Sequence, residues 1–89
     1  MFRVEWLPEA VEELTRIWTE ADSTWRQAVN AATQALDEEL RMDPFRRSES
    51  REDQRRVLFE YPLAARVRVD LQQRIVWVLH VWRFRRHGK

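Results

Sequence analysis

The chain is 89 residues long and nearly neutral, with a formal net charge of +1. That length fits one small domain over residues 1–89 with a limited core. It contains no cysteine, which excludes disulfide bonds and thiolate metal ligands. No apolar stretch is long enough to span a membrane, and residues 1–6 lack the features of a signal peptide. We therefore expect a soluble cytoplasmic protein.

The charges are divided unevenly along the chain. Residues 1–43 contain 4 Arg against 10 Asp or Glu, whereas residues 44–89 contain 12 Arg or Lys against 5 Asp or Glu. The basic half ends in residues 83–89, Arg-Phe-Arg-Arg-His-Gly-Lys, which we expect to form a flexible basic tail. A basic face on a nearly neutral protein indicates a site for a polyanion or for an acidic protein partner.

The first half predicts a strand followed by two helices. Residues 2–6 alternate between apolar and polar side chains, as in a short strand. Pro8 is typical of a first helical turn, and apolar residues follow it at helical spacing. Either Asp22 or Ser23 could cap a second helix over residues 24–42. So short a connection between two helices predicts a helical hairpin.

The second half predicts a polar loop and three strands. Residues 45–54 form the loop, and the strands cover residues 55–61, 64–70 and 74–82. The last strand is apolar on both faces, which is typical of a central strand. Alternation places one set of its side chains, Ile75, Trp77, Leu79 and Val81, opposite the other set, Val76, Val78, His80 and Trp82.

The predicted order is β-α-α-β-β-β. This is an α+β fold with an antiparallel-rich sheet and the helical hairpin packed on one face. The other face would present Arg66 and Arg68, with His80 and Trp82 beside them. Four tryptophans follow the helix and strand periods and are expected in the core: Trp6, Trp18, Trp25 and Trp77.

Several short segments, taken in their order and spacing, are similar to those of one family. They are residues 4–10, Leu40 with Asp43-Pro44, and residues 56–59, 66–70 and 75–86. On these the chain resembles the RelE/ParE superfamily of toxins from type II toxin–antitoxin modules. The resemblance implies a toxin that arrests growth, is neutralised by a cognate antitoxin, and assembles as a homodimer or a toxin–antitoxin heterotetramer. RelE-like members cleave mRNA on the ribosome, whereas ParE-like members inhibit DNA gyrase and have no nuclease activity.

The chain departs from both family patterns at several positions. Arg83 stands where many members have histidine, and Ala64-Ala65 stands where many have an arginine. The nuclease branch often carries a lysine on the strand of residues 55–59, but the only lysine of this chain is Lys89. The C-terminal tyrosine of some nucleases is also missing. Three functions stay open: ribosome-dependent mRNA cleavage, non-enzymatic inhibition of gyrase, and a non-toxic homologue that still binds antitoxin.

RNA cleavage by the 2′-OH needs one group to take a proton, one to stabilise charge on the phosphorane and one to protonate the leaving oxygen. Arginine suits the phosphate and histidine suits proton transfer. The candidate catalytic residues are Arg66, Arg68, His80 and Arg83, with His87 and Tyr61 as further proton-transfer candidates. The candidate RNA- or target-binding residues are Arg56, Trp82, Arg85 and Arg86.

Each of these candidates has a simpler alternative. Arg66 and Arg68 could form the solvated face of an edge strand, and His80 could be a half-buried residue of an apolar strand. Trp82 with Phe84 suits either base stacking or an apolar contact with the antitoxin. No grouping of His, Asp and Glu has metal-ligand spacing, so we expect neither a metal nor a cofactor.

Overall fold

A computed structural model describes residues 1–85 of the chain. These residues form two helices and one five-stranded sheet: β1 (Arg3–Trp6), α1 (Pro8–Glu20), α2 (Ser23–Met42), β2 (Ser48–Ser50), β3 (Arg55–Glu60), β4 (Leu63–Asp70) and β5 (Ile75–Arg83). The strands lie in the order β1-β5-β4-β3-β2. β1 runs parallel to β5, and the other neighbouring strands are antiparallel. The predicted α+β architecture is confirmed, with β2 as an additional strand.

The helices begin and end at residues with clear physical roles. Pro8 opens α1, where its missing N–H has no helical partner to lose. Of the two predicted caps for α2 the structure uses Asp22, whose side chain accepts the Trp25 N–H at 2.9 Å. α2 ends where Asp43, which precedes Pro44, adopts an extended backbone. Within the described part of the chain, no helix is long and apolar enough to span a membrane.

The core lies between the two helices and one face of the sheet. Ala10 of α1 and Leu36 of α2 are fully buried there against Val67 of β4 and Val78 of β5. The largest fully buried side chains of the described residues are leucines, valines and prolines. β4 and β5, each of which has a neighbouring strand on both sides, supply most of the sheet residues in this core, and Leu58 of β3 adds to them.

The tryptophans lie around this core rather than inside it. All five are among the described residues and none is buried. Trp6 packs against the core, but Trp25 and Trp77 are half-buried outside it and Trp18 is 39% exposed. The prediction of four core tryptophans is therefore wrong for Trp18, Trp25 and Trp77. A helix or strand period assigns residues to a face but does not tell which face another element covers.

A β-bulge in β5 changes which of its side chains face the core. Arg66 pairs with His80, but the next residue of β4, Val67, pairs with Val78, which leaves Leu79 as an extra residue. The extra residue reverses the alternation, so that the core receives Val76, Val78 and Val81. The prediction of unbroken alternation over residues 74–82 is therefore wrong beyond Val78.

A short edge strand, β2, lies within the segment whose polar sequence predicts only a loop. It pairs with β3 and forms a hairpin. The residues of the turn, Asp53 and Gln54, have φ of 59° and 61°. The Arg55 N–H closes the turn on the Glu52 carbonyl at 3.2 Å. Two successive positive φ values closed by such a bond are typical of a type I′ turn, and the pairing of Ser50 with Arg56 leaves one more residue on the β2 side than a two-residue hairpin has.

Candidate functional site

Both helices lie on one face of the sheet, and we call the opposite face the open face. It is defined by three cross-strand rows of residues from β3, β4 and β5. Cross-strand partners project to the same side of a sheet, and successive rows lie roughly 7 Å apart along a strand. The rows are Phe59–Ala64–Trp82, Val57–Arg66–His80 and Arg55–Arg68–Trp77. The open face thus interleaves basic and aromatic side chains.

Three arginines of the open face are exposed and unpaired. Arg55, Arg66 and Arg68 make no side-chain hydrogen bond or ion pair with any residue that the structure describes. Arg55 and Arg68 are direct cross-strand partners, an arrangement in which like charges destabilise a sheet. Unused guanidinium donors, held together at a cost in stability, indicate a surface that binds an anion.

His80 lies beside Arg66 on the open face, and a carboxylate from α1 holds its ring. The Nδ1 atom of His80 is 3.1 Å from Glu13 Oε2, and Nδ1 is the donor because an ionised carboxylate only accepts. The other oxygen of Glu13 accepts the Val81 N–H at 2.9 Å. With Nδ1 engaged and the side chain 50% exposed, Nε2 is the ring nitrogen available for proton transfer.

An aromatic cluster lies at one end of the sheet and extends from the open face to the side that carries the helices. The ring centroid of Phe84 is 5.3 Å from that of Phe59 and 5.6 Å from that of Tyr61. Tyr61 in turn lies 6.2 Å from Trp25, and the guanidinium of Arg83 lies 4.6 Å above the Trp25 ring. Phe59 and Tyr61 are 42% and 39% exposed. Exposed aromatic rings beside arginines suit the stacking of nucleobases or the packing of an apolar partner segment.

A cleft opens at the end of the sheet where β3 begins and β4 ends. Its lining includes Arg55, Arg68, Arg56 and Phe45. The Nε of Arg56 donates to Ser48 Oγ at 2.5 Å, and its guanidinium lies 5.0 Å from the centroid of the Phe45 ring. Arg56 is therefore fixed by its neighbours, whereas the other two arginines present unpaired guanidinium groups to the cleft.

Solved structures of toxin–antitoxin proteins share this architecture. A chain of the RelBE2 toxin–antitoxin complex from Mycobacterium tuberculosis is similar with a TM-score of 0.75 and 15% identity, over 93% of this chain and 91% of that one. A chain of the chromosomal ParDE system from P. aeruginosa is similar with a TM-score of 0.72 and 18% identity, over 96% and 98%. The isolated E. coli RelE toxin gives 0.65 and 17%, over 97% and 87%.

The fold is RelE/ParE-like. No protein-family model matches the sequence, and no curated protein matches it either. At these identities the likeness concerns the fold alone, so the chemistry of the open face rests on this chain's own residues.

The structure brings together most, but not all, of the candidate catalytic residues. Arg66, Arg68 and His80 share the open face. Arg83 does not join them, because it pairs with Leu63 on the core side of the sheet and its guanidinium lies over Trp25. Among the described residues, no group of three or more His, Asp or Glu side chains is placed to bind a metal ion.

The candidate binding residues are also divided. Trp82 lies on the open face, whereas Arg56 pairs with Val67 on the core side and so points away from it. Arg85 is exposed just beyond β5. Arg86, like His87, lies outside the described residues. Strand alternation thus separates Arg56 from Arg66 and Arg68.

Sequence reasoning missed Arg55, Phe59 and Glu13. The alternation along β3 was the signal for the first two, because it places Arg55 and Phe59 on one face with Val57 between them. Glu13 carried no local signal, since it belongs to a Glu-Glu pair typical of a solvated helix face and is 67 residues from His80. Only the fold brings it to β5.

Proposed function

We propose that this chain is the toxin of a toxin–antitoxin module and that it cleaves mRNA on the ribosome through its open face. The toxin role is supported by the fold, which resembles those of the RelBE2, ParDE and RelE structures. The observation that carries RNA cleavage is the pairing of Arg66 with His80, whose ring is oriented by Glu13.

The reaction assigns one role to each of these side chains. The ribose 2′-OH attacks the adjacent phosphorus, a P–O2′ bond forms and the P–O5′ bond breaks, leaving a 2′,3′-cyclic phosphate and a 5′-OH. Nε2 of His80 takes the 2′-OH proton and later returns it to solvent, while a water protonates the departing 5′ oxygen. The Arg66 guanidinium stabilises the charge that develops on the phosphorane oxygens.

The expected protein partner is a cognate antitoxin that covers the open face. The exposed rings of Phe59 and Tyr61 offer an apolar surface next to unpaired arginines. An antitoxin segment that combines apolar and acidic side chains fits both features. Covering this surface would block the access of RNA to Arg66 and His80 without any change in the fold.

Expression of the chain without antitoxin tests the proposal. Bacteria are induced and pulse-labelled with methionine and thymidine in the same culture, and mRNA is then mapped for cuts. We expect methionine incorporation to collapse first and cuts to appear. The Arg66→Ala and His80→Ala variants should abolish both effects. Arg16→Ala is the matched control, because Arg16 is an exposed arginine on α1 with no side-chain partner among the described residues.

Inhibition of DNA gyrase is the second candidate. It is favoured by the small number of proton-transfer groups. His80 is the only histidine among residues 1–85 and thus the only imidazole that the described open face offers. In the same experiment, an early loss of thymidine incorporation with translation intact would support it and contradict RNA cleavage. Normal growth and incorporation under strong expression would indicate a non-toxic homologue that binds antitoxin.

A further inference from the structure

We infer that Arg55 and Arg68 form a clamp for a single RNA phosphate, next to the phosphate that is cleaved. The inference rests on the proposed function and assigns Arg68 to substrate binding rather than to the reacting phosphate. The clamp is one row away from Arg66 and His80 on the open face, a separation of roughly 7 Å along β4. That distance is comparable with the spacing of successive phosphates in an extended RNA strand.

The pairing of β3 with β4 brings Arg55 and Arg68 close together. Arg55 and Arg68 are direct cross-strand partners in an antiparallel pair, so their Cβ atoms are about 5 Å apart. Two guanidinium groups that start so close can reach the same phosphate, and each can donate two hydrogen bonds to its oxygens. A bound anion would also remove the repulsion between the two like charges.

The surroundings leave both guanidinium groups available. Glu52 and Asp53 lie in the turn that leads into Arg55, and they line a shallow pocket with it and with Arg66. Neither carboxylate forms an ion pair with Arg55 or Arg68 among the described residues. Asp70 also lines the cleft, but no carboxylate of the described residues forms an ion pair with either guanidinium group.

The clamp lies in a cleft that also offers a further positive charge and an aromatic ring. Arg55 and Arg68 line the cleft at the end of the sheet, together with Arg56 and the 38% exposed ring of Phe45. Arg56 adds a fixed positive charge to the cleft wall, and Phe45 adds an aromatic face. These features suit a nucleotide, with its phosphate at the arginines and its base near the ring.

The test uses a twelve-nucleotide 2′-O-methyl oligouridylate, which has no 2′-OH to attack and is not cleaved. Its affinity for the purified protein is measured by fluorescence anisotropy over a series of KCl concentrations. Each phosphate that a protein neutralises on a single strand contributes about 0.7 to the slope of log K against log salt. We expect the Arg55→Ala/Arg68→Ala double variant to bind at least about tenfold more weakly and to lose about 0.7 from the slope.

A double-mutant cycle separates a clamp from two independent contacts. If both arginines grip one phosphate, the loss in the double variant is smaller than the sum of the losses in the single variants. Additive losses with a slope change of about 1.4 would overturn the clamp. The charge-matched control is Arg16→Ala/Arg41→Ala on the helices, and an equal effect in that control would also overturn it.

The remaining outcomes distinguish a failure of the clamp from a failure of the proposed RNA cleavage. Absence of binding by the unaltered protein would overturn the clamp, while mRNA cutting in cells would still decide the proposed function. A confirmed clamp in a protein that cuts no RNA would contradict the reaction alone. Thermal unfolding checks that the double variant folds, and we expect no loss of stability because the substitution removes a like-charge pair.

Discussion

Glu13 of α1 and His80 of β5 are joined by a 3.1 Å contact between Oε2 and Nδ1. The same carboxylate accepts the Val81 N–H, at a point of β5 that lies beyond the last residue of its pairing with β1, Val78. At this position, where β1 no longer pairs with β5, Glu13 is the hydrogen-bond partner of the β5 backbone. It also orients the ring of His80.

The stability prediction concerns the Val81 N–H. The Glu13→Ala substitution leaves this part-buried donor without its acceptor, and we expect the free energy of unfolding to fall by about 1–2 kcal/mol. Glu13→Gln keeps an oxygen acceptor and should lose less than half of that amount. Urea denaturation measures both. Equal stability of the alanine variant and the unaltered chain would show that water replaces the carboxylate.

The catalytic prediction concerns His80. His80→Ala should lower the rate of mRNA cutting by about 10²–10⁴-fold if the imidazole acts as the general base. Glu13→Gln should retain folding but cut more slowly, because the ring loses the charged acceptor that fixes its orientation. Rates are compared on the same mRNA in a translation extract. A Glu13→Gln variant that cuts normally would restrict Glu13 to its structural role.

Arg26 connects the two helices and gives a third prediction. Its Nε and Nη2 atoms donate to the Trp18 and Thr19 carbonyls at 2.9 and 3.2 Å, and its guanidinium lies 4.1 Å above the Trp18 ring. These carbonyls belong to the last turn of α1, where the regular i+4 donors are missing, although the Trp18 carbonyl also accepts the Ala21 N–H at 3.2 Å. We expect Arg26→Ala to lower the free energy of unfolding by about 1–2 kcal/mol.

Two further variants serve as controls for Arg26. Arg26→Lys keeps the charge but lacks the planar fork, and it should recover only part of the loss. Arg16→Ala should stay within about 0.5 kcal/mol of the unaltered chain, because Arg16 has no side-chain partner among the described residues. If Arg26→Ala matches Arg16→Ala in thermal and urea unfolding, the contacts to α1 contribute nothing measurable.

The fourth prediction concerns the turn between β2 and β3. Gln54 has a φ of 61°, a left-handed conformation that costs residues other than glycine roughly 1–2 kcal/mol. Gln54→Gly should therefore raise the free energy of unfolding by about 0.5–1 kcal/mol, after the greater chain entropy of glycine is subtracted. Gln54→Ala should give no such increase. A less stable glycine variant would mean that the glutamine side chain itself supports the turn.

The sequence predicts where most helices and strands lie better than it predicts which elements pair or pack beside them. Pro8 and Asp43-Pro44 mark the helices because proline acts locally on the backbone, and the apolar run of β5 predicts its central place. The three-residue strand β2 is polar and depends on a type I′ turn formed without glycine, so no local pattern reveals it. The parallel pairing of β1 with β5 joins opposite ends of the chain and has no local signal either.

The candidate site shows the same division. Arg66, Arg68 and His80 could be assigned to one face from strand alternation and its register with the neighbouring strand. The extra residue Leu79 moves Val81 into the core, and a bulge of this kind follows from the pairing of two strands rather than from one sequence. Glu13 becomes part of the site only through tertiary packing, which alternation does not describe.

The division between an aliphatic interior and a basic, aromatic exterior also bears on how such chains diverge. The largest fully buried side chains of the described residues are leucines, valines and prolines, and none of them belongs to the open face. Substitutions on the open face can therefore accumulate while the scaffold persists. Chains that are 15–18% identical keep TM-scores of 0.65–0.75 with this one, so the fold tolerates the replacement of most of its side chains.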